Sequence, residues 1–447
     1  MSLLQLPSFK EIAPMQENET DMLFKVEVVD PPFFCPHCGT MPDLLAKTTP
    51  FYKHGKKEQL IMDMPIRMKR VGILVHRYRY KCRDCNTTFW EWLLDADEKR
   101  KMTNRLMNFI QQQSMQRTFL DVAELTGVTE GTVRNVFRDY VEKKEQEHEF
   151  ITPKWLGIDE IYVIKKPRLI LTNIEERTVY DLVDNRKQEN VIKRLEAIPD
   201  RQNIECVTMD MWYPYRRSVH KCMPNAEVIV DKFHVVRMGN NALENVRKKV
   251  RLNASSAERK ALMHDRKILL KRNHDLDERG LFLMEVWLDK FPDLRTAYDL
   301  KERFYGIWDC PTKSEAIDTY REWLEDLQQA PMLVQNAFSD IPTAFENWGN
   351  EILNYFDLGL TNAYTESLNS IIRKIDQSGR GYSFDVLRAK LLFNEKLHKT
   401  RTKRFNREVF HHMYYHDFNR ERTVEVEEIL NYGVDFSTLL AYLEQED

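Results

Sequence analysis

Three acidic residues stand where phosphoryl-transfer chemistry would need them. Asp159 lies in an apolar, β-branched run over 155–164, which reads as a buried strand. Asp210 ends a second such run over 204–210, and Glu366 sits in 361–372, where the apolar spacing is helical. Two Mg²⁺ ions (or Mn²⁺) held about 3.5–4 Å apart clamp the attacking and leaving oxygens of a phosphodiester. Mg²⁺ keeps several of its waters, so two or three carboxylates are enough to hold it. An Asp at a strand end is also an ordinary turn former or helix cap, and the chain has 70 acidic residues. What singles these three out lies upstream of them.

Four of the seven cysteines form two C-x₂-C knuckles, Cys35–Cys38 and Cys82–Cys85. Two such knuckles complete a tetrahedral structural Zn²⁺ site. A β-hairpin must return the chain across the 43 residues between them, and the alternating run 71–80 supplies the returning strand. Disulfides are the competing reading. No leader-like segment opens the chain, and that disfavours them. Cys206, Cys222 and Cys310 are isolated and read as small buried residues. Strand alternation puts Arg77, Arg79, Lys81 and Arg83 on one face, a charged surface suited to phosphates.

Residues 117–138 have the form of a helix-turn-helix. Gly127 makes the turn, Val128 plugs it, and Thr129 caps a second helix with Val133, Val136 and Phe137 inward. Thr132, Arg134, Asn135 and Arg138 face outward, where they suit base edges and phosphates.

From residue 154 the pattern runs strand, strand, strand, helix, strand, with a further strand expected over 227–236. That order fits a ribonuclease-H-like fold in which the first and fourth strands adjoin and bring Asp159 and Asp210 together. Asp231 is a rival for the second carboxylate position, and Asp231 with His234 otherwise reads as a pair that supports the ligands or positions DNA. Asn362 and Asn369 read as helix-cap and DNA-contact residues. Arg373 and Lys374, further along the Glu366 helix, suit a phosphate. The stretch 240–355 is strongly helical and reads as an insertion.

The whole is an α/β multidomain chain. It comprises a zinc ribbon (1–98), a helix-turn-helix domain (99–148), a ribonuclease-H-like core in two parts (149–239 and 356–405) around an α-helical insertion (240–355), and a C-terminal tail (406–447). Its net charge of −3 conceals a strong asymmetry, because residues 51–120 carry fifteen basic side chains against seven acidic ones. Near-neutrality therefore does not exclude nucleic acid. No run approaches the roughly 18–20 apolar residues of a membrane span, so a cytoplasmic location is expected.

These blocks resemble those of the DDE transposases of bacterial insertion sequences, of the ISL-three family. The likeness is carried by the two knuckles, the helix-turn-helix, 157–160 (GIDE), 208–210 (TMD), 230–236 (VDKFHVV), 361–369 (TNAYTESLN) and 379–384 (GRGYSF). The resemblance implies that Asp159, Asp210 and Glu366 are the metal-binding triad. It also implies cutting and joining of duplex DNA at terminal inverted repeats, by a homo-oligomer on DNA at the nucleoid. A domesticated DNA-binding regulator and a metal-dependent nuclease that does not join are the rival readings. A regulator has no need of an intact triad.

Overall fold

The computed structural model describes residues 3–42 and 49–394 of the chain. The expected C-terminal tail lies outside the described residues.

The N-terminal module is built on a long antiparallel hairpin of β2 (Phe51–Ile66) and β3 (Lys69–Cys82), flanked by β1 (Asp21–Val28) and the short β4 (Thr88–Trp90). β1 pairs with the first half of β3 and β4 with its last part. One face of the first half packs Val71, Ile73 and Val75 against Phe24, Ile61 and Leu93. Near the end of β3 the buried face switches: Tyr80 and Cys82 pack with Phe51, Phe89 and Cys35. The ribbon is therefore cored on opposite sides at its two ends.

Three helices follow: α1 (Asn104–Gln116), α2 (Phe119–Thr126) and α3 (Glu130–Glu147). Thr103, Thr118 and Thr129 each cap one helix by accepting a backbone N–H. Gly127 closes α2 at φ +76°, the left-handed conformation that favours glycine. Val122, Val133, Val136 and Phe137 meet Leu106 and Ile110 in one core.

The second sheet contains β5 (Trp155–Val163), β6 (Lys166–Asn173), β7 (Thr178–Val183), β8 (Cys206–Met209) and β9 (Glu227–Val230). Its strand order is β7-β6-β5-β8-β9. The first three strands are antiparallel neighbours, whereas β5, β8 and β9 run parallel. This is the ribonuclease-H-like arrangement, with the first and fourth strands adjacent. α4 (Gln188–Glu196) and α5 (Tyr213–Cys222) connect the later strands and pack on each other.

The strand expected to reach residue 236 ends at Val230. Asp231 accepts the Phe233 N–H and caps α6 (Lys232–Val250), so His234 stands on a helix, one turn in. The helical region thus begins at Lys232 rather than 240, and it continues through the short helix Tyr355–Leu358. The chain returns to the sheet as α7 (Ala363–Gly379) and α8 (Phe384–Phe393). α8 lies against β7, and its Arg388 joins Asp181 of that strand to Glu145 of α3. Buried Lys390 donates to the carbonyls of Ser114 and Arg117, which ties α8 to the helix-turn-helix. No described helix is long and apolar enough to cross a membrane.

Candidate active site and nucleic-acid interface

The two knuckles close on each other. Cys35 Sγ lies 3.6 Å from Cys85 Sγ, and Cys38 Sγ 3.7 Å from Cys82 Sγ. All four sulfurs lie within 4.8 Å of one another. Each knuckle turns through a left-handed residue just after its second cysteine, Gly39 at φ +76° and Asn86 at φ +58°. Those are the residue types that tolerate that conformation. The Thr87 hydroxyl, 2.8 Å from Cys85 Sγ, pulls that thiol down to about 6. Four convergent sulfurs, with Cys38 and Cys85 both biased toward thiolate, suit a structural zinc site.

The acidic site is set by register. Gly157 of β5 stands opposite Thr172 on one side and Thr208 on the other. Side chains two residues apart on a strand share a face. Asp159 and Asp210 therefore project from the face of Gly157 and Thr208, and Asp231 from that of Ile229, the next residue in the row. α7 covers this face. Its first turn seats on the Thr–Gly–Thr row: Thr365 Oγ1 is 2.7 Å from Thr172 Oγ1, and Thr208 donates to Asn362 Oδ1 at 3.4 Å. A side chain at Gly157 would stand 2.9 Å from both Asn362 Oδ1 and Thr365 Oγ1. The glycine lets the helix approach, and Glu366 follows directly.

Asp159 is 5% exposed and Asp231 fully buried. Burial, and then the Asp210 carboxylate beside it, push Asp159 up to about 8. Asp210 is also raised, chiefly by burial. His234 Nδ1 lies 3.1 Å from Asp210 Oδ1 and 3.5 Å from Asp231 Oδ2, and the Asp231 carboxylate raises its pKa. Each of these three atoms is buried with no hydrogen-bond partner, although the ring stands in ion-pair range of both carboxylates. Asp231, His234 and Glu366 present ligand atoms within 4.8 Å of one another. Crowded carboxylates with orphaned oxygens are what a hard divalent cation satisfies. The donor set therefore fits Mg²⁺ or Mn²⁺.

Asn369 is not a surface contact. It is 3% exposed and donates from Nδ2 to Asp159 Oδ2 at 2.6 Å. Its spacing of three residues from Glu366, on the same helical face, was the available signal. Gly157 is legible only as a member of its sequence block, whereas His234 reads from the sequence as a partner of Asp231.

On the DNA-binding side, Arg134, Asn135 and Arg138 are exposed on α3 and Thr132 is half-buried. Arg134 pairs with Glu130 at 2.5 Å, one turn earlier. Arg79 is half-buried, whereas Arg373 and Lys374 are exposed about two turns beyond Glu366. Arg77 is a correction. It is 2% exposed, and its guanidinium is spent on the Glu91 carbonyl and, at 2.8 Å, on Glu98. Arg77 shares its face with Arg79 as alternation has it, but the buried face switches just past Arg77, so that face is covered at Arg77 and only half-covered at Arg79. Arg77 braces the ribbon from within.

Comparison with known proteins agrees with this division. The family model described as a transposase, of the ISL3 type, matches residues 156–391. A zinc-finger model of the IS204/IS1001/IS1096/IS1165 transposases matches 31–85. The helix-turn-helix model of transposase family ISL3 matches 95–141. The transposase for insertion sequence element IS1001 of Bordetella parapertussis is 23% identical over 355 residues, covering 78% of this chain and 85% of that protein. With more than half the chain matched by the transposase model and both upstream modules matched in order, the chain belongs to the ISL3 family of DNA transposases.

Proposed function

We propose that this transposase cuts the terminal inverted repeats of its own insertion sequence and joins them to target DNA, with Asp159, Asp210 and Glu366 as ligands of two Mg²⁺ ions (or Mn²⁺). The observation that carries the reading is the convergence of four carboxylates, two with orphaned oxygens, beneath the first turn of α7. Bound there, the ions would supply charge neutralisation at the phosphodiester and activation of first a water and then a 3′-hydroxyl.

The chain's own residues prepare that site. Asn369 fixes the Asp159 carboxylate through its hydrogen bond. Asp231 spends Oδ1 on the backbone N–H groups of Phe233 and Asn362, 3.4 Å from each, and so holds α6 and α7 together. Its Oδ2 lies 3.5 Å from His234 Nδ1, which stands 3.1 Å from Asp210 Oδ1, and Glu366 offers a ligand atom within 4.8 Å of Asp231 and His234. Asp231 is thus a supporting carboxylate with one oxygen free for a ligand. The exposed side of α3, with Thr132, Arg134, Asn135 and Arg138, would enter the major groove of the element's ends. Arg79, Arg373 and Lys374 would meet phosphates. Such work belongs at the bacterial nucleoid, by a homo-oligomer that holds two ends.

The test is incubation of the full chain with duplex carrying the element's ends, a target plasmid and Mg²⁺. Cleavage followed by joining supports the reading. Binding without cleavage would make the chain a regulator, and cleavage without joining a nuclease.

A further inference from the structure

The zinc ribbon carries a second face that neither the helix-turn-helix nor the acidic site uses. At the end of β3, Tyr80 and Cys82 point toward the thiolates, so Arg79 and Lys81 point away. The pairing sets Tyr52 and Thr88 on either side of Lys81, and Gly55 and Trp90 on either side of Arg79, with Lys57, opposite Arg77, next along that face. Cations and aromatic rings interleave there. Lys57 Nζ stands 4.3 Å over the Trp90 ring, Arg79 Cζ lies 5.8 Å from the same ring, and Arg83 Cζ stands 5.1 Å over Tyr52.

Lys57, Arg79, Lys81 and Arg83 form no ion pair among the described residues, whereas Lys69, Arg70 and Arg77 of the same hairpin are each paired with a carboxylate. Arg79 Nε is buried with no hydrogen-bond partner. The Arg79 guanidinium lies over Gly55, where a Cβ would stand 3.7 Å from its Nε. Lysines on an edge strand serve to block sheet-to-sheet pairing. Arg79 and Lys81, however, sit on an interior strand, with β2 on one side and β4 on the other.

We propose that Lys57, Arg79, Lys81 and Arg83, held by Tyr52 and Trp90, form a sequence-independent grip on the phosphodiester backbone of duplex DNA. The proposal rests on the chain's acting on DNA, and it assigns the ribbon affinity rather than end recognition. Unpaired cations on a rigid hairpin meet a regular array of phosphates with little ordering cost, and each contact releases counterions.

The experiment measures affinity of the full chain for end-bearing and random duplexes across a salt series, with the parent and the triple variant Lys57→Gln, Lys81→Gln, Arg83→Gln. The log–log salt slope should fall by about 2 to 3. Both affinities should drop by about tenfold or more, with their ratio kept. The charge-keeping triple Lys57→Arg, Lys81→Arg, Arg83→Lys should retain the slope. Zinc content checks folding; should the first triple lose zinc, Lys57→Gln and Arg83→Gln alone, each off the thiolate face, should cost about 1 in slope apiece. Unchanged slope and affinities, or a loss confined to the ends, would overturn the proposal. A parent that binds neither duplex would remove the DNA reading as well.

Discussion

Gly157→Ala tests how the Glu366 helix is seated. The new methyl would stand 2.9 Å from Asn362 Oδ1 and Thr365 Oγ1, and closer still to Thr172 Oγ1. Ordinary contact begins near 3.4 Å, so the first turn of α7 must retreat by at least half an ångström. None of the three side chains can swing aside freely. All are fully buried, and two of them are threonines hydrogen-bonded to each other at 2.7 Å. Overpacking of this kind costs about 1–3 kcal/mol of stability. Displacement by about 1 Å from reacting geometry costs on the order of 10²-fold in rate, so cleavage should fall by about 10- to 100-fold. The control is Gly349→Ala, in helix Asp340–Leu353, where a methyl meets nothing within 4 Å. That change should leave cleavage alone and add up to about 1 kcal/mol through helix propensity. Initial rates on end-bearing duplex in Mg²⁺, with denaturant unfolding alongside, decide the matter. A Gly157→Ala protein that cuts within twofold of the parent at unchanged stability would refute this account of the packing.

Three further outcomes follow from the same geometry. Chelation, or Cys82→Ser, should release one zinc per chain and unfold the ribbon, because metal binding and folding are coupled there; metal analysis with circular dichroism reads it, and a chelated protein with unaltered ribbon structure would contradict it. Asp159, raised to about 8 in the native metal-free chain, keeps a proton that the unfolded chain has already released, so stability should fall as pH rises from about 4 to about 8, with this carboxyl alone accounting for up to about 1.4 kcal/mol per pH unit and the raised Asp210 adding in the same direction. Divalent cations should restore it and Asp159→Asn should flatten the fall, whereas a level profile of metal-free Tm against pH for the parent would count against the raised carboxyl. Lys390→Met keeps the packing among Phe119, Phe137 and Tyr382 but strips a donor from the Ser114 and Arg117 carbonyls; a loss of about 1–3 kcal/mol is expected in denaturant unfolding, and a fully stable variant would show that these bonds do not fasten the helix-turn-helix to the core.

Much of this was legible before any coordinates. The two C-x₂-C knuckles point to zinc over disulfides, and Gly127 with Thr129 marks the helix-turn-helix, because each knuckle and the turn are local signals. The strand order also follows from local runs, and it places Asp159 beside Asp210. What escaped depends on contacts remote in sequence. Arg77 alternates correctly with Arg79, yet Glu91 and Glu98 fold over one and not the other. The run 227–236 has β-branched residues at both ends, Val228 to Val230 and Val235 to Val236, yet Asp231 caps a helix that starts at Lys232. Asn369 reads as polar surface until β5 is set beneath α7. Gly157 shows its purpose only against Thr172 and Thr365, partners 15 and more than 200 residues away in the chain.

The central claim is that Asp159, Asp210 and Glu366 hold the metals that cut DNA. The most direct measurement is cleavage of end-bearing duplex in Mg²⁺ by Asp159→Ala, Asp210→Ala and Glu366→Ala, each first shown to bind the ends, with Asp231→Ala run in parallel. The three triad variants should bind ends like the parent and cut at least about 10³-fold more slowly, because each lacks a ligand to an ion that stabilises transition-state charge. Full cleavage by Asp210→Ala with loss in Asp231→Ala would move the second ligand to Asp231, and four variants that cut like the parent would contradict the two-metal site itself.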